Sequence, residues 1–237
     1  MPLPRHIIFD LDDTIVDYSA SAEKVWTDLY PVYARKAGVP MDVLQRAVDE
    51  SRRWYWSDPD RFREGRLAIT RARRIFVRAG FEKIGLNDAG LADEMADAFS
   101  RERELVVQPF PGAIEALQTL HSGGAAMVLL TNGEASLQRA KINRFGLGKF
   151  FRAILIESET GVGKPDPRAH QAALVSLGAA PERAWMAGDD LEFDIRPAKA
   201  LGMRAAWIRN GADGRENPAD VTIPSIRLLV DYWSESD

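Results

Sequence analysis

The chain has 237 residues, 46% of them apolar and 28% charged, with no Cys and a formal net charge of −4. This is ordinary globular composition, with length enough for a sizeable core in one large domain or two modest ones. The lack of Cys removes disulfides, thiolate metal sites, iron–sulfur clusters and cysteine nucleophiles together, and it suits a reducing, cytoplasmic setting. The acidic balance argues against a general nucleic-acid binder. No basic leader precedes Ile7-Ile8-Phe9, and the longest apolar run, residues 125–130, is far shorter than a membrane span. Neither a targeting segment nor a membrane anchor is expected.

Residues 5–9 read as the first strand. Its apolar run does not alternate, which suggests burial on both faces, and it leads straight into Asp10-Leu11-Asp12-Asp13-Thr14. Residues 16–108 then read as a helical insert. Ala22, Val25, Trp26, Leu29 and Tyr33 recur at helical spacing, with Pro31 expected to kink or interrupt the helix. Residues 41–56, 62–79 and 91–105 continue the helical period. Within the second of these, Phe62, Ile69, Ala72, Ile75, Phe76 and Ala79 form one expected apolar stripe.

Pro109-Phe110-Pro111-Gly112 breaks the pattern, and the period changes after it. Apolar runs at 125–130, 153–156, 184–187 and 205–208 alternate with helical segments at 113–120, 135–145, 167–177 and 195–201. Such alternation indicates βαβ units and a doubly wound parallel sheet. The expected organisation is an α/β core of residues 1–15 and 109–237, interrupted by a helical domain of residues 16–108. An insert of this kind, placed just after an acidic strand end, is suited to act as a lid.

Ligands of open α/β sheets bind outside the carboxyl ends of the strands. There the sequence places Asp10, Asp12 and Asp13 after the first strand, and Thr131 and Asn132 after the second, with Gly133 opening a helix. Lys164-Pro165-Asp166-Pro167 follows the third, and Gly188, Asp189, Asp190 and Asp194 follow the fourth. Clustered carboxylates repel unless something positive neutralises them. Oxygen-only donors favour Mg²⁺ over zinc. Lys164 adds a fixed cation, and Thr131 with helix-start amides adds anion donors. Together these describe a phosphoryl group beside a magnesium ion. Asp190 reads equally as a helix-start acid. Gly161-Val162-Gly163-Lys164 fails as a nucleotide P-loop, because Pro165 and Ser158 stand where Ser or Thr and Gly are required. His6, His121 and His170 are scattered and read as structural.

Four motifs, in order, carry a family resemblance: Asp10-x-Asp12-x-Thr14, Thr131-Asn132, Lys164-Pro165 and Gly188-Asp189-Asp190-x-x-x-Asp194. In this the chain resembles the haloacid dehalogenase-like hydrolase superfamily, and the insert looks like the cap of its phosphoglycolate phosphatase-like branch. The resemblance implies an aspartyl-phosphate formed on Asp10, with Asp12 as general acid and then base. It implies Mg²⁺ held by Asp10, the main-chain carbonyl of Asp12 and Asp189, with Asp194 in support. Thr131, the Asn132 amide and Lys164 would hold the phosphoryl oxygens. Similar dehalogenases carry an aromatic residue in place of Asp12, so a phosphatase of a small phosphorylated metabolite is expected ahead of a 2-haloacid dehalogenase. A phosphomutase stays open as an alternative, as does the choice between monomer and homodimer. A phospho-receiver signalling domain has a different order of acids, Thr and Lys, and no place for the insert. Within the insert, Arg66 and Arg73 stand seven residues apart, on an expected common helix face. They are candidate contacts to a second anionic group of the substrate, against the plainer reading of a solvated basic helix.

Overall fold

The computed structural model describes residues 4–209 and 217–235, and the chain divides into two compact units, Tyr18–Val107 and the flanking Met1–Asp17 with Gln108–Asp237. The boundary differs slightly from the expected one: Val16, Asp17 and Gln108 belong to the α/β unit.

The Tyr18–Val107 unit is all helical: α1 (Ser19–Ala37), α2 (Met41–Trp56), α3 (Pro59–Leu67), α4 (Ile69–Lys83) and α5 (Ala89–Val106). Its core gathers Val25, Trp26, Tyr30, Leu44, Val48, Phe76, Val77, Met95 and Phe99. Trp26 stacks on Phe99 at 4.0 Å between ring centroids and meets Phe76 at 5.9 Å. Pro31 does not interrupt α1, which runs through it. The ring removes one helical hydrogen bond, but Leu29, Tyr30 and Tyr33 around it are all buried, and tertiary burial of an apolar face is what stabilises most protein helices.

The expected helix over 62–79 is two helices, broken at Ala68 (φ −142°, ψ 57°). Arg66 therefore lies in the last turn of α3 while Arg73 lies on α4, and the two share no helix face. The stripe is also rotated: Ile75 is exposed, whereas Ala72, Phe76, Val77 and Phe81 face the core. The basic stretch 61–78, seven arginines with Glu64 as its one acid, is not simply solvated. Arg74 grips Asp97 with two bonds (2.8 and 2.6 Å), and Arg78 grips Asp93 in the same way, so α5 supplies the acids missing from the run itself.

In the α/β unit, β1 (His6–Phe9) is followed by a short antiparallel pair, β2 (Val16–Asp17) with β3 (Gln108–Pro109). Then come α6 (Ala113–Ser122), β4 (Ala126–Thr131), α7 (Ala135–Arg144), β5 (Ala153–Ile156), α8 (Glu157–Thr160), α9 (Pro167–Leu177), β6 (Trp185–Gly188), α10 (Arg196–Ala200), β7 (Arg204–Ile208), β8 (Val221–Ile223) and α11 (Ile226–Glu235). The six-stranded sheet has the order β5-β4-β1-β6-β7-β8, and every pair is parallel. Ile7 faces Met127 on one side and Trp185 on the other, and Ile7, Ile8 and Phe9 are fully buried, as a central parallel strand requires. α9 lays Ala169, Ala173 and Leu177 against Ile8, Val128 and Met186.

The short β2, β3 and α8 lie outside the expected pattern, as do β8 and α11. β8 is a three-residue edge strand, too short to show a period. α11 buries Ile226, Leu229, Val230 and Trp233, a spacing of three, four and seven that is legible in the sequence. The expected helix at 195–201 instead begins as a five-residue π turn, Leu191–Ile195, in which the carbonyl of Asp190 accepts from both Asp194 and Ile195.

Trp26→Ala removes the ring that joins α1, α4 and α5. It is expected to destabilise the helical unit by about 3–5 kcal/mol, read as a lowered denaturation midpoint.

Candidate active site

The sheet order sets the site. β4, β1 and β6 are neighbours at its centre, so their carboxyl ends bring Thr131, Asp10 and Asp189 to one rim. Lys164 arrives from the loop after α8 on a cis Lys164–Pro165 bond. Its position is set by a reciprocal amide clamp: Asn132 Nδ2 donates to the Lys164 carbonyl (2.7 Å), and the Lys164 N–H donates to Asn132 Oδ1 (2.8 Å). The buried ammonium then donates to Asp10 Oδ1 at 2.5 Å and Asp194 Oδ1 at 2.6 Å. The second oxygen of Asp194 accepts from the Asp190 N–H at 3.1 Å. Asp194 reaches this place because residue 188 is Gly: a Cβ there would collide with the Asp194 carboxylate. Asp189 is held from behind, its carbonyl accepting from Trp207 Nε1 (2.7 Å).

Asp10, Asp189 and Asp194 each offer a carboxylate oxygen, all within 4.8 Å of one another. Burial and the neighbouring acids push Asp10 up to about 7, against the opposing pull of Lys164. Burial, then Asp10 and Asp194, push Asp189 up to about 9. Burial also raises Asp194, although Lys164 lowers it. Burial by itself would lower Lys164, but the two carboxylates outweigh it and hold the ammonium firmly charged. One lysine thus faces three converging acids, and a hard divalent cation bound by oxygen fits this donor set.

Six of the expected residues, Asp10, Thr131, Asn132, Lys164, Asp189 and Asp194, converge on this rim. Asp12 lies beside it, half-buried and turned toward α7. Asp190 takes the plainer of its two readings, its side chain capping the π turn through the N–H groups of Glu192 and Phe193 (2.7 and 3.0 Å). Thr131 does not cap α7, which begins at Ala135; its hydroxyl accepts from Gln138 Nε2 at 2.8 Å. Gly163 belongs to no phosphate loop: a Cβ there would strike the buried Glu157, whose carboxylate accepts from the Gly133 N–H at 3.1 Å. His170 is buried, and burial with the nearby Lys164 pushes it down to about 4, so it is neutral. In the helical unit, Arg66 lies over the Phe62 ring, while Arg73 is buried against Phe99 with its Nη1 on Ser100 Oγ (3.0 Å). The sequence reading missed Gln138, Lys141 and Glu157. The first two sit three residues apart on α7, a spacing that places them on the same side of a helix.

The parallel α/β sheet thus carries a buried Asp–Lys–Asp cluster across its central strand ends. Residues 4–202 match the family model of the haloacid dehalogenase-like hydrolases, and the chain belongs to that family. It is 33% identical to the phosphoserine phosphatase of Thermus thermophilus, over 86% of this chain and 88% of the relative. It is 31% identical to the pyrimidine 5'-nucleotidase YjjG of Escherichia coli, over 94% of this chain and 95% of that one. Among solved structures it resembles a 2-haloacid dehalogenase of Pseudomonas syringae pv. Tomato, with 28% identity, a TM-score of 0.63 and coverage of 99% and 100% of the two chains. No helix among the described residues is long and apolar enough to cross a membrane.

Two outcomes follow from the electrostatics. Asp10 and Asp189 titrate above their ordinary carboxylate value, so without metal the folded state holds more protons than the unfolded state between about pH 4 and 9. Stability should therefore fall as pH rises through that window. The Tm of EDTA-treated protein is expected to be several degrees lower at pH 8 than at pH 6, and Mg²⁺ should close the gap. A flat or rising Tm would overturn the charge assignment. Gly188→Ala forces Asp194 off Lys164 and is expected to cost about 1–3 kcal/mol by denaturation while also weakening Mg²⁺ protection.

Proposed function

We propose that the protein is a Mg²⁺-dependent phosphatase that hydrolyses a small phosphorylated metabolite through an aspartyl-phosphate, in the cytoplasm. The observation that carries this reading is the buried cluster of Lys164 between Asp10 and Asp194, with Asp189 within ligand reach of both acids. The phosphatase and nucleotidase names of the two relatives support it. Asp10, the main-chain carbonyl of Asp12 and Asp189 are assigned to the cation, with Asp194 supporting them and orienting Lys164. When bound, Mg²⁺ would offset phosphoryl charge that otherwise repels Asp10.

An Asp10 oxygen attacks phosphorus, and the ester P–O bond breaks with its electron pair passing to the leaving oxygen, which takes a proton from Asp12. Water then attacks the aspartyl-phosphate and gives its proton to Asp12. The acyl-phosphate P–O bond breaks, and Asp10 returns as carboxylate with inorganic phosphate as product. Thr131, the main-chain N–H of Asn132 and Lys164 hold the phosphoryl oxygens; the Asn132 side chain is already committed to the Lys164 loop. Of the two candidate arginines, Arg73 is buried among Phe99 and Ser100, which leaves Arg66 as the proposed contact to a second anionic group of the substrate. Asp12 is what favours this chemistry over dehalogenation, because a halide departs without a proton and an alkoxide does not. A phosphomutase would return the phosphoryl group to a sugar instead of passing it to water.

Purified protein should release p-nitrophenolate from p-nitrophenyl phosphate with Mg²⁺ and not with excess EDTA. Asp10→Asn should lose on the order of 10³-fold or more in kcat while keeping its fold by circular dichroism. Wild-type turnover by a folded Asp10→Asn would remove the nucleophile from this scheme.

A further inference from the structure

α7 reaches Asp12 with two side chains. The Lys141 ammonium makes an ion pair with Asp12 Oδ1, and Gln138 Nε2 donates to Asp12 Oδ2 at 3.0 Å. Both carboxylate oxygens are therefore engaged from one helix. The same Gln138 nitrogen lies 2.8 Å from Thr131 Oγ1 and 2.7 Å from the Asn132 carbonyl. The Asn132 carbonyl only accepts, as does Asp12 when ionised against Lys141, so the nitrogen end of the amide faces this cluster; turned over, its oxygen would meet a carboxylate and a carbonyl. Gln138 thus ties the Asp12 loop to the strand end that carries Thr131. Gln138 and Lys141 are both buried. Burying a lysine is unfavourable unless it is paired, and a pair of apolar residues would fill the same space with less desolvation, so fold stability alone is a weak reason for this arrangement.

We propose that Lys141 and Gln138 are positioning residues for the proton-transfer group: they aim the Asp12 carboxylate and hold it in register with the phosphate-binding end of β4. This rests on the reading of Asp12 as general acid and base given above. Aiming matters because a carboxyl group must come within hydrogen-bond distance of the leaving oxygen to protonate it, and positioned proton transfer contributes about 10²–10⁴-fold in rate. Neither residue touches the reacting atoms in this scheme; each acts through Asp12.

The test compares Lys141→Met, Lys141→Arg and Asp12→Asn on two esters, p-nitrophenyl phosphate and glycerol 1-phosphate, read as kcat/KM. That ratio covers steps only up to cleavage of the ester bond, where p-nitrophenolate departs without a proton and an alkoxide needs one. Lys141→Met is expected to lose about 100-fold on the alkyl ester and less than about 5-fold on the aryl ester, and Lys141→Arg to recover most of the loss. Equal losses on both esters, or retained alkyl ester turnover, would overturn the proposal. Asp12→Asn separates the two levels of the argument. If it shows the leaving-group dependence and Lys141→Met does not, the positioning role fails while the reading of Asp12 stands; if it too shows none, the reading of Asp12 fails. A crystal structure of Lys141→Met adds a readout independent of turnover: Asp12 is expected to leave its place against α7, and an unmoved carboxylate would count against the proposal.

Discussion

One buried ammonium organises this protein. Lys164 is almost wholly withdrawn from water, and it is tolerable there only because Asp10 and Asp194 take its hydrogen bonds. The dependence runs both ways. Asp10 directly follows the buried Ile7-Ile8-Phe9 of β1, and Asp194 lies buried in the turn after β6, so neither acid has a solvent shell to carry its charge. Removing Lys164 would leave two carboxylates uncompensated in the interior, whereas removing either acid leaves a Lys–Asp pair. The supports follow from this need. Asn132 clamps the Lys164 loop through two amide bonds, Gly188 leaves room for Asp194, and Trp207 secures the backbone of Asp189.

The cluster is stable as a trio but remains short of positive charge. Asp189 joins it with no ion pair to a lysine among the described residues, and burial, together with the neighbouring acids, raises both Asp10 and Asp189. A rim built this way suits a hard cation and, beside Lys164, an anionic group. Structural tension and binding capacity are the same property here. Carboxylates that cost the fold when bare become ligands once a cation arrives, which is a common pattern at functional sites.

Asp12 stands apart from this trio, although it is only two residues from Asp10. The backbone turns tightly from Leu11 onward, with Asp13 in the left-handed region at φ 61° and the Ile15 and Val16 amides both folding back on the Leu11 carbonyl. That turn sends the Asp12 side chain to α7 while Asp10 stays with Lys164. Two carboxylates close in sequence thereby enter different electrostatic surroundings, and different surroundings are what allow two acids to take different roles.

The fold class, the order of the parallel strands' motifs and most of the rim residues were legible in the sequence, because they depend on local rules. Short apolar runs make buried strands, a change of period marks the helical insert, and strand-end acids and threonines must emerge at one edge of a parallel sheet. Where the reading missed, the cause was a contact distant in sequence or a backbone break that the apolar period does not register. Arg74 and Arg78 read as solvated until α5 brought Asp97 and Asp93 beside them, and the period over 62–79 concealed the break at Ala68. Lys141 is an ordinary helix lysine by every local measure. It becomes the partner of Asp12, 129 residues away, only because β1 and β4 are neighbours and α7 springs from the end of β4. Sequence alone determined which chemical groups this protein carries and the rim on which most of them emerge. Tertiary structure decided which charge faces which, because electrostatic pairing depends on distance and burial in space and leaves no periodic trace along the chain.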